Sequence, residues 1–216
     1  MTFNESQVSR IADYVMEKMA NPDIELEASG RHVHLTRSAV DTLFGSGYQL
    51  KFKATLSQPG QFACEERVRV VGEKGAFSAV AILGPERSEV QVEISQTDAT
   101  VLGVSAPVRL SGDIEGTQGV LLVGPQGKLR IGKGVIVAQR HIHMTPDFAE
   151  RHGFRDKQTV SVLVDGARSV TFHAVIVRVS PSFANYMHID YDEANACGFT
   201  RGLIGRIGGE GRFGFR

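Results

Sequence analysis

The chain has 216 residues, 42% hydrophobic and 22% charged, the make-up of an ordinary globular protein long enough to bury a core. Lys+Arg and Asp+Glu balance at 24 each, so no global field recruits nucleic acid or an anionic membrane. No apolar run approaches the roughly 20 residues of a membrane helix, and the first residues lack the basic start and apolar block of a secretory signal.

Residues 1–22 read as a helix and linker. Val8, Ile11, Ala12, Val15 and Met19 share one helical stripe, and Glu5, Arg10, Asp13, Glu17 and Lys18 lie on the other face. Asn21-Pro22 ends it. From about residue 24 short alternating strands take over, with glycine turns between them. The apolar run 68–71 precedes Gly72-Glu73-Lys74-Gly75, the run 120–123 precedes Gly124-Pro125-Gln126-Gly127, and the run 175–179 ends at Ser180-Pro181. These are hairpin and barrel signals, not the strand–helix alternation of a parallel sheet. The stretch 199–216 is rich in Gly and Arg and is expected to be loose at its end. Cys64 and Cys197 lie far apart without a CxxC partner and read as reduced thiols of a cytosolic protein.

An internal repeat organises the chain. Arg31-His32-Val33-His34-Leu35-Thr36 matches Arg140-His141-Ile142-His143-Met144-Thr145. Thr36 and Thr145 each read as the N-cap of a short helix, Pro146 occupies the favoured first position, and Gly45 and Gly153 supply the stops. A second matched pair follows. Val92-Glu93-Ile94-Ser95 leads into a helix over 96–102 and Gly103; Met187-His188-Ile189-Asp190 leads into a helix over 191–197 and Gly198. Ser95 with Asp98, and Asp190 with Glu193, read as imperfect capping boxes. Aligned this way, Glu93 takes the place of His188.

Each half therefore offers three metal ligands: His32, His34 and Glu93 in one, His141, His143 and His188 in the other. Alternation along a strand turns both histidines of an H-x-H to the same face, so the two imidazoles can converge on one ion. A third ligand from a distant strand and one open position make the catalytic-zinc arrangement, and two triads can hold two ions. Imidazole with one carboxylate suits zinc, with cobalt, manganese or iron as alternatives. A lone H-x-H is weak; two copies with matching Arg and Thr flanks carry the reading. His152 and His173 lack such context and read as ordinary residues. An anion site should accompany the metals. Arg87 is favoured for phosphate, because alternation turns Arg31 and Arg140 away from the histidines. No Ser-His-Asp elbow, Walker loop or dinucleotide fingerprint occurs, and neither cysteine has an activating base.

The motifs Ser29-Gly30-Arg31-His32-Val33-His34-Leu35, Leu56-Ser57-Gln58-Pro59-Gly60-Gln61, Leu83-Gly84-Pro85, Gln91-Val92-Glu93-Ile94-Ser95, Ala138-Gln139-Arg140-His141-Ile142-His143-Met144, Met187-His188-Ile189-Asp190 and Asp192-Glu193-Ala194-Asn195-Ala196 resemble the PduL-type phosphotransacylases (phosphate propanoyltransferases). The resemblance runs over about residues 5–200. It implies a mainly β fold of two small β-barrels capped by short α-helices, related by the internal repeat and exchanging strands. On that basis residues 23–30 with 139–208 form one barrel domain and 31–138 the other, flanked by the 1–22 segment and a 209–216 tail.

The resemblance also implies a dimetal centre, usually dizinc, between the barrels. The reaction would be reversible transfer of a propanoyl or acetyl group between coenzyme A and phosphate. His32, His34, Glu93, His141, His143 and His188 are then the metal ligands, Arg87 the catalytic phosphate binder, and Asn195 a residue near the coenzyme A. Expected partners are acyl-CoA or CoA, phosphate, a second copy of the chain in a homo-oligomer, and the shell of a bacterial microcompartment bound through residues 1–20. A microcompartment lumen, in propanediol degradation, or the cytoplasm is the expected location. No nucleic-acid or membrane partner is expected. The rivals are a bicupin-like metalloenzyme, whose carboxylate normally follows H-x-H within a few residues, an amidohydrolase, and a non-catalytic microcompartment scaffold or metal store. Glu93 comes 59 residues after His34, and no βα alternation is present, which disfavours the first two.

Overall fold

The computed structural model describes residues 4–208. In chain order its elements are α1 (Glu5–Ala20), β1 (Asp23–Ser29), β2 (His32–His34), α2 (Arg37–Phe44), β3 (Phe52–Thr55), β4 (Phe62–Val71), β5 (Ala76–Gly84), β6 (Gln91–Ile94), α3 (Gln96–Leu102) and β7 (Val108–Arg109). Then come β8 (Leu121–Val123), β9 (Lys128–Arg130), β10 (Val135–Ala138), β11 (His141–Met144), α4 (Pro146–His152), β12 (Thr159–Val164), β13 (Val170–Val179), β14 (Tyr186–Asp190), α5 (Tyr191–Cys197) and β15 (Ile204–Gly208). The fold is mainly β with short helices, as expected. The loose tail expected over 209–216 lies outside the described residues. Among the described residues no helix is long and apolar enough to cross a membrane.

The chain divides into two compact units. One comprises Met1–Glu27, Arg140–His188 and Ala194–Arg216; the other comprises Ala28–Gln139 and Ile189–Glu193. The first unit is a closed barrel in the order β1-β14-β11-β13-β12-β15. It closes because β15 returns to β1, with Asp23 opposite Arg206 and Glu25 opposite Ile204. Its interior is aliphatic: Leu26, Ile142, Met144, Val160, Val162, Val177, Met187 and Ile207 are all buried. Each such side chain contributes about 1.5–3 kcal/mol on leaving water.

The second unit is a nine-stranded sheet in the order β7-β10-β6-β2-β5-β4-β8-β9, with β3 paired to β4. This sheet curls into a half-barrel. Its core gathers Val33, Val40, Leu43, Ile82, Val92, Leu102, Leu122 and Val135.

The repeat is visible in the pairing. β2 lies between parallel β5 and antiparallel β6, and β11 lies between parallel β13 and antiparallel β14. The strands that lead into the two motifs are exchanged. β1 runs into Arg31 but pairs in the barrel that holds the second motif, and β10 runs into Arg140 but pairs beside β6 in the sheet that holds the first. The helices after the motifs start as their sequences direct. The Thr36 side chain caps Ala39 N–H, and Thr145 caps Phe148 N–H ahead of Pro146. Ser95 and Asp98 close a capping box on α3; Asp190 and Glu193 make the same two reciprocal bonds on α5, at 2.8 and 3.1 Å.

Candidate functional site

In the open-sheet unit, β2 turns His32 and His34 to one face, and its register sets His32 opposite Glu93 and His34 opposite Gln91. One donor atom from each of His32, His34 and Glu93 falls within 4.8 Å of the others. His32 Nε2 is 3.5 Å from Glu93 Oε2, and His34 Nε2 is 3.8 Å from Glu93 Oε1. All three residues are buried. The Gly30 carbonyl lies 2.8 Å from His32 Nδ1, which orients the ring and leaves Nε2 facing the carboxylate.

Glu93 is itself held. Gln91 Nε2 donates to its Oε1 at 2.5 Å and the Ser111 hydroxyl donates at 2.8 Å. Arg87 Nη1 donates to Ser111 Oγ at 3.1 Å, so the arginine joins the triad through one hydroxyl. Burial alone would raise the Glu93 pKa, but His32, His34 and Ser111 outweigh it and hold the carboxyl well below the usual range. Burial alone would lower His32, but the Glu93 charge and hydrogen bond and the Gly30 carbonyl overcome it and the opposing Arg87, so its pKa rises. His34 is pushed down to about 3, first by burial and then by the neighbouring His32.

The barrel unit builds the second triad in the same register. His141 stands opposite His188, and His143 opposite Tyr186. One nitrogen from each of His141, His143 and His188 falls within 4.8 Å of the others. The three ring centroids are separated by 4.6, 5.1 and 4.7 Å, and Phe183 stacks on His143 at 3.9 Å. Burial, then His141, His188 and Arg178, push His143 down to about 2, so this imidazole is neutral at physiological pH. Beside His188 lies Glu27, its Oε2 3.3 Å from Nδ1.

A resident transition metal fits both sets of residues. Among the described residues, neither ring nitrogen of His143, nor Nδ1 of His34, has a hydrogen-bond partner, although each is buried. An unpartnered buried polar group costs roughly 1–3 kcal/mol. Buried imidazole nitrogens without a partner among the described residues are donors that a borderline-soft ion takes up. An ion about 2 Å from each donor needs the donors about 3–4 Å apart, a small adjustment from the arrangement present.

The other sequence-predicted residues fall as follows. Arg31 forms two bonds to Asp98, at 2.9 and 2.7 Å, and its guanidinium lies 4.1 Å over the Phe77 ring. Arg140 donates from Nε to the His173 carbonyl at 2.7 Å and lies 5.7 Å over Phe172. These are equivalent places. Ala81 pairs with His32 and Ile176 with His141, and the two phenylalanines stand four residues ahead of Ala81 and Ile176. The motif arginines thus tie the start of each H-x-H strand to its parallel neighbour. Asn195 is exposed on α5. His152 packs against Phe148, and His173 Nδ1 meets Ser161 Oγ at 2.9 Å, both outside the triads.

Sequence reasoning missed Gln91, Ser111 and Glu27. Gln91 shares a strand face with Glu93, so alternation could have found it. Ser111 sits in a loop with no local signal. Glu27 comes to His188 only through the β1–β14 pairing.

Among known families, residues 25–200 match the phosphate propanoyltransferase model. The chain is 52% identical over 204 residues to the phosphate propanoyltransferase of Listeria monocytogenes, covering 94% of this chain and 96% of that protein. It is 54% identical over 200 residues to the protein of that name from Enterococcus faecalis, covering 93% and 94%. With the Thermotoga maritima protein of that name it shares 49% over 201 residues, covering 89% and 96%.

Proposed function

Since the chain belongs to the phosphate propanoyltransferase family, and so is a phosphate acyltransferase, we propose that it moves a propanoyl or acetyl group between coenzyme A and phosphate with the help of two metal ions, one in each triad. The observation that carries the metal reading is the matched pair of triads, His32-His34-Glu93 and His141-His143-His188, in one register. Zinc is the ion proposed, with cobalt as the alternative. When bound, the ions supply Lewis-acid polarisation of the thioester carbonyl and charge stabilisation for the departing thiolate.

The chain's own residues do the rest. Arg87, braced by Ser111, offers its guanidinium to the phosphate oxygens and holds one of them toward the carbonyl carbon. Attack forms the C–O bond of the acyl phosphate, the C–S bond breaks, and coenzyme A leaves as the thiolate. His34 and His143 stay unprotonated and so remain donors rather than like charges beside a cation. Asn195 is proposed to hydrogen-bond coenzyme A. The test is His141→Ala, assayed for bound metal and for release of free coenzyme A from propanoyl-CoA on adding phosphate. Metal binding in the barrel triad and turnover should be lost together; full activity rules the assignment out.

Residues 1–20 are proposed as a docking peptide for a bacterial microcompartment shell. Val8 and Ile11, on the stripe expected from the sequence, are 54% and 48% exposed on α1. A chain lacking residues 1–20 should keep its turnover and lose encapsulation; a misfolded, inactive product would assign the helix to the fold instead.

A further inference from the structure

Glu27 stands four residues ahead of Arg31, near the end of β1. The repeat-equivalent position, four residues ahead of Arg140, is Ile136 on β10. Both positions lie against the third candidate ligand of a triad. Ile136 pairs directly with Glu93. Glu27 brings Oε2 to 3.3 Å from Nδ1 of His188. The repeat thus fills one position in two ways. Where the third ligand is a carboxylate, its neighbour is a fully buried isoleucine; where the third ligand is an imidazole, its neighbour is a carboxylate. Each triad with that neighbour carries one carboxylate.

We infer that Glu27 is a positioning residue for the barrel triad: it accepts the Nδ1–H of His188, turns Nε2 toward His141 and His143, and provides from outside the ligand set the negative charge that Glu93 provides from within it. The inference rests on the metal reading proposed above. A metal-bound imidazole that donates its other N–H to a carboxylate is fixed in tautomer and orientation and made a stronger ligand. A third neutral imidazole otherwise leaves the charge of a divalent ion without local compensation. The reverse substitution explains Ile136. A second carboxylate against the buried Glu93 adds like-charge repulsion, whereas an isoleucine only packs. The Glu27 side chain is 34% exposed and that of His188 11%, so solvent screens part of the charge effect while the orienting contact persists.

The test uses the full chain, stripped of metal and titrated with cobalt(II) against a competing chelator, for the wild type, Glu27→Ala, Glu27→Gln and His188→Ala. In Glu27→Ala one of two affinities should weaken by about 10–100-fold while the other stays put. The weakened step should be the one lost in His188→Ala. Glu27→Gln should recover part of the loss, because the amide oxygen still accepts the N–H without the charge. At saturation the Glu27→Gln visible spectrum should match that of the wild type, since the direct donors are unchanged. Two wild-type affinities in Glu27→Ala overturn the inference, as does weakening of both steps together. A shifted Glu27→Gln spectrum also overturns it, by making Glu27 a direct ligand. A wild-type chain that binds no cobalt overturns the metal reading itself, and this inference falls with it.

Discussion

In the open sheet the third member of the triad is a carboxylate, and in the barrel it is an imidazole. That one difference changes the charge that surrounds the histidines on the same backbone register. In the sheet triad Glu93 is depressed and His32 raised, each by the other across 3.5 Å. The barrel triad keeps His143 neutral, with neither ring nitrogen partnered among the described residues. The repeat supplies the geometry, and the residue at one position of it sets the charge.

The halves also differ in what surrounds them. Arg87 reaches the sheet triad through Ser111 and Glu93. Its removal should break the asymmetry most visibly. Arg87→Ala should raise the KM for phosphate by about 10–100-fold, the worth of one or two hydrogen bonds to a charged group, with bound metal unchanged. Initial rates against phosphate concentration read this directly; an unchanged phosphate KM would move the anion site elsewhere.

The next effect is pH dependence in the metal-free protein. The depressed His34, at about 3, and His143, at about 2, stay neutral in the fold while their unfolded counterparts gain protons below about 6.5. Stability is then complete above that pH and lost as pH falls toward the folded values. At pH 5 the loss is on the order of 2 kcal/mol for each of the two residues. His32, shifted upward, works the other way: its contribution is complete below about 6.5 and fades as pH rises through its folded value. Thermal melts of metal-free protein between pH 5 and 8 should fall toward acid and flatten in His143→Ala; a pH-independent Tm would contradict the assignment.

A smaller contrast lies in the motif arginines. Arg31→Ala takes two guanidinium bonds from the buried Asp98, which keeps its capping contact with Ser95 N–H, and the 38% exposure of the arginine side chain moderates the cost to about 1–2 kcal/mol. Arg140→Ala loses the bond to the His173 carbonyl, worth about 0.5–1.5 kcal/mol. Urea melts should therefore rank Arg31→Ala below Arg140→Ala in stability, and the reverse order would mean that the two clamps are not built as described.

Much of the triad geometry was legible in the sequence because it is local. Two residues apart on a strand means one face, so the H-x-H pairs announced themselves. The capping residues and glycines after Glu93 and His188 aligned the third positions before any pairing was known. Alternation also turned Arg31 and Arg140 away from the histidines, but it did not reveal Phe77, Phe172 or Asp98 as their partners. What was not legible depends on long-range pairing. Closure of one sheet and not the other turns on whether β15 returns to β1. Glu27 reaches His188 and Ser111 reaches Glu93 across 161 and 18 residues of chain, and no local pattern marks either contact.

The most direct test of two unlike but equivalent triads is the metal content of the purified chain, measured alongside phosphate-dependent release of coenzyme A from propanoyl-CoA before chelation, after chelation and after zinc is restored. Two ions per chain are predicted, with turnover lost on stripping both and regained with them. One ion or none at full turnover, or turnover that survives complete chelation, would contradict the account.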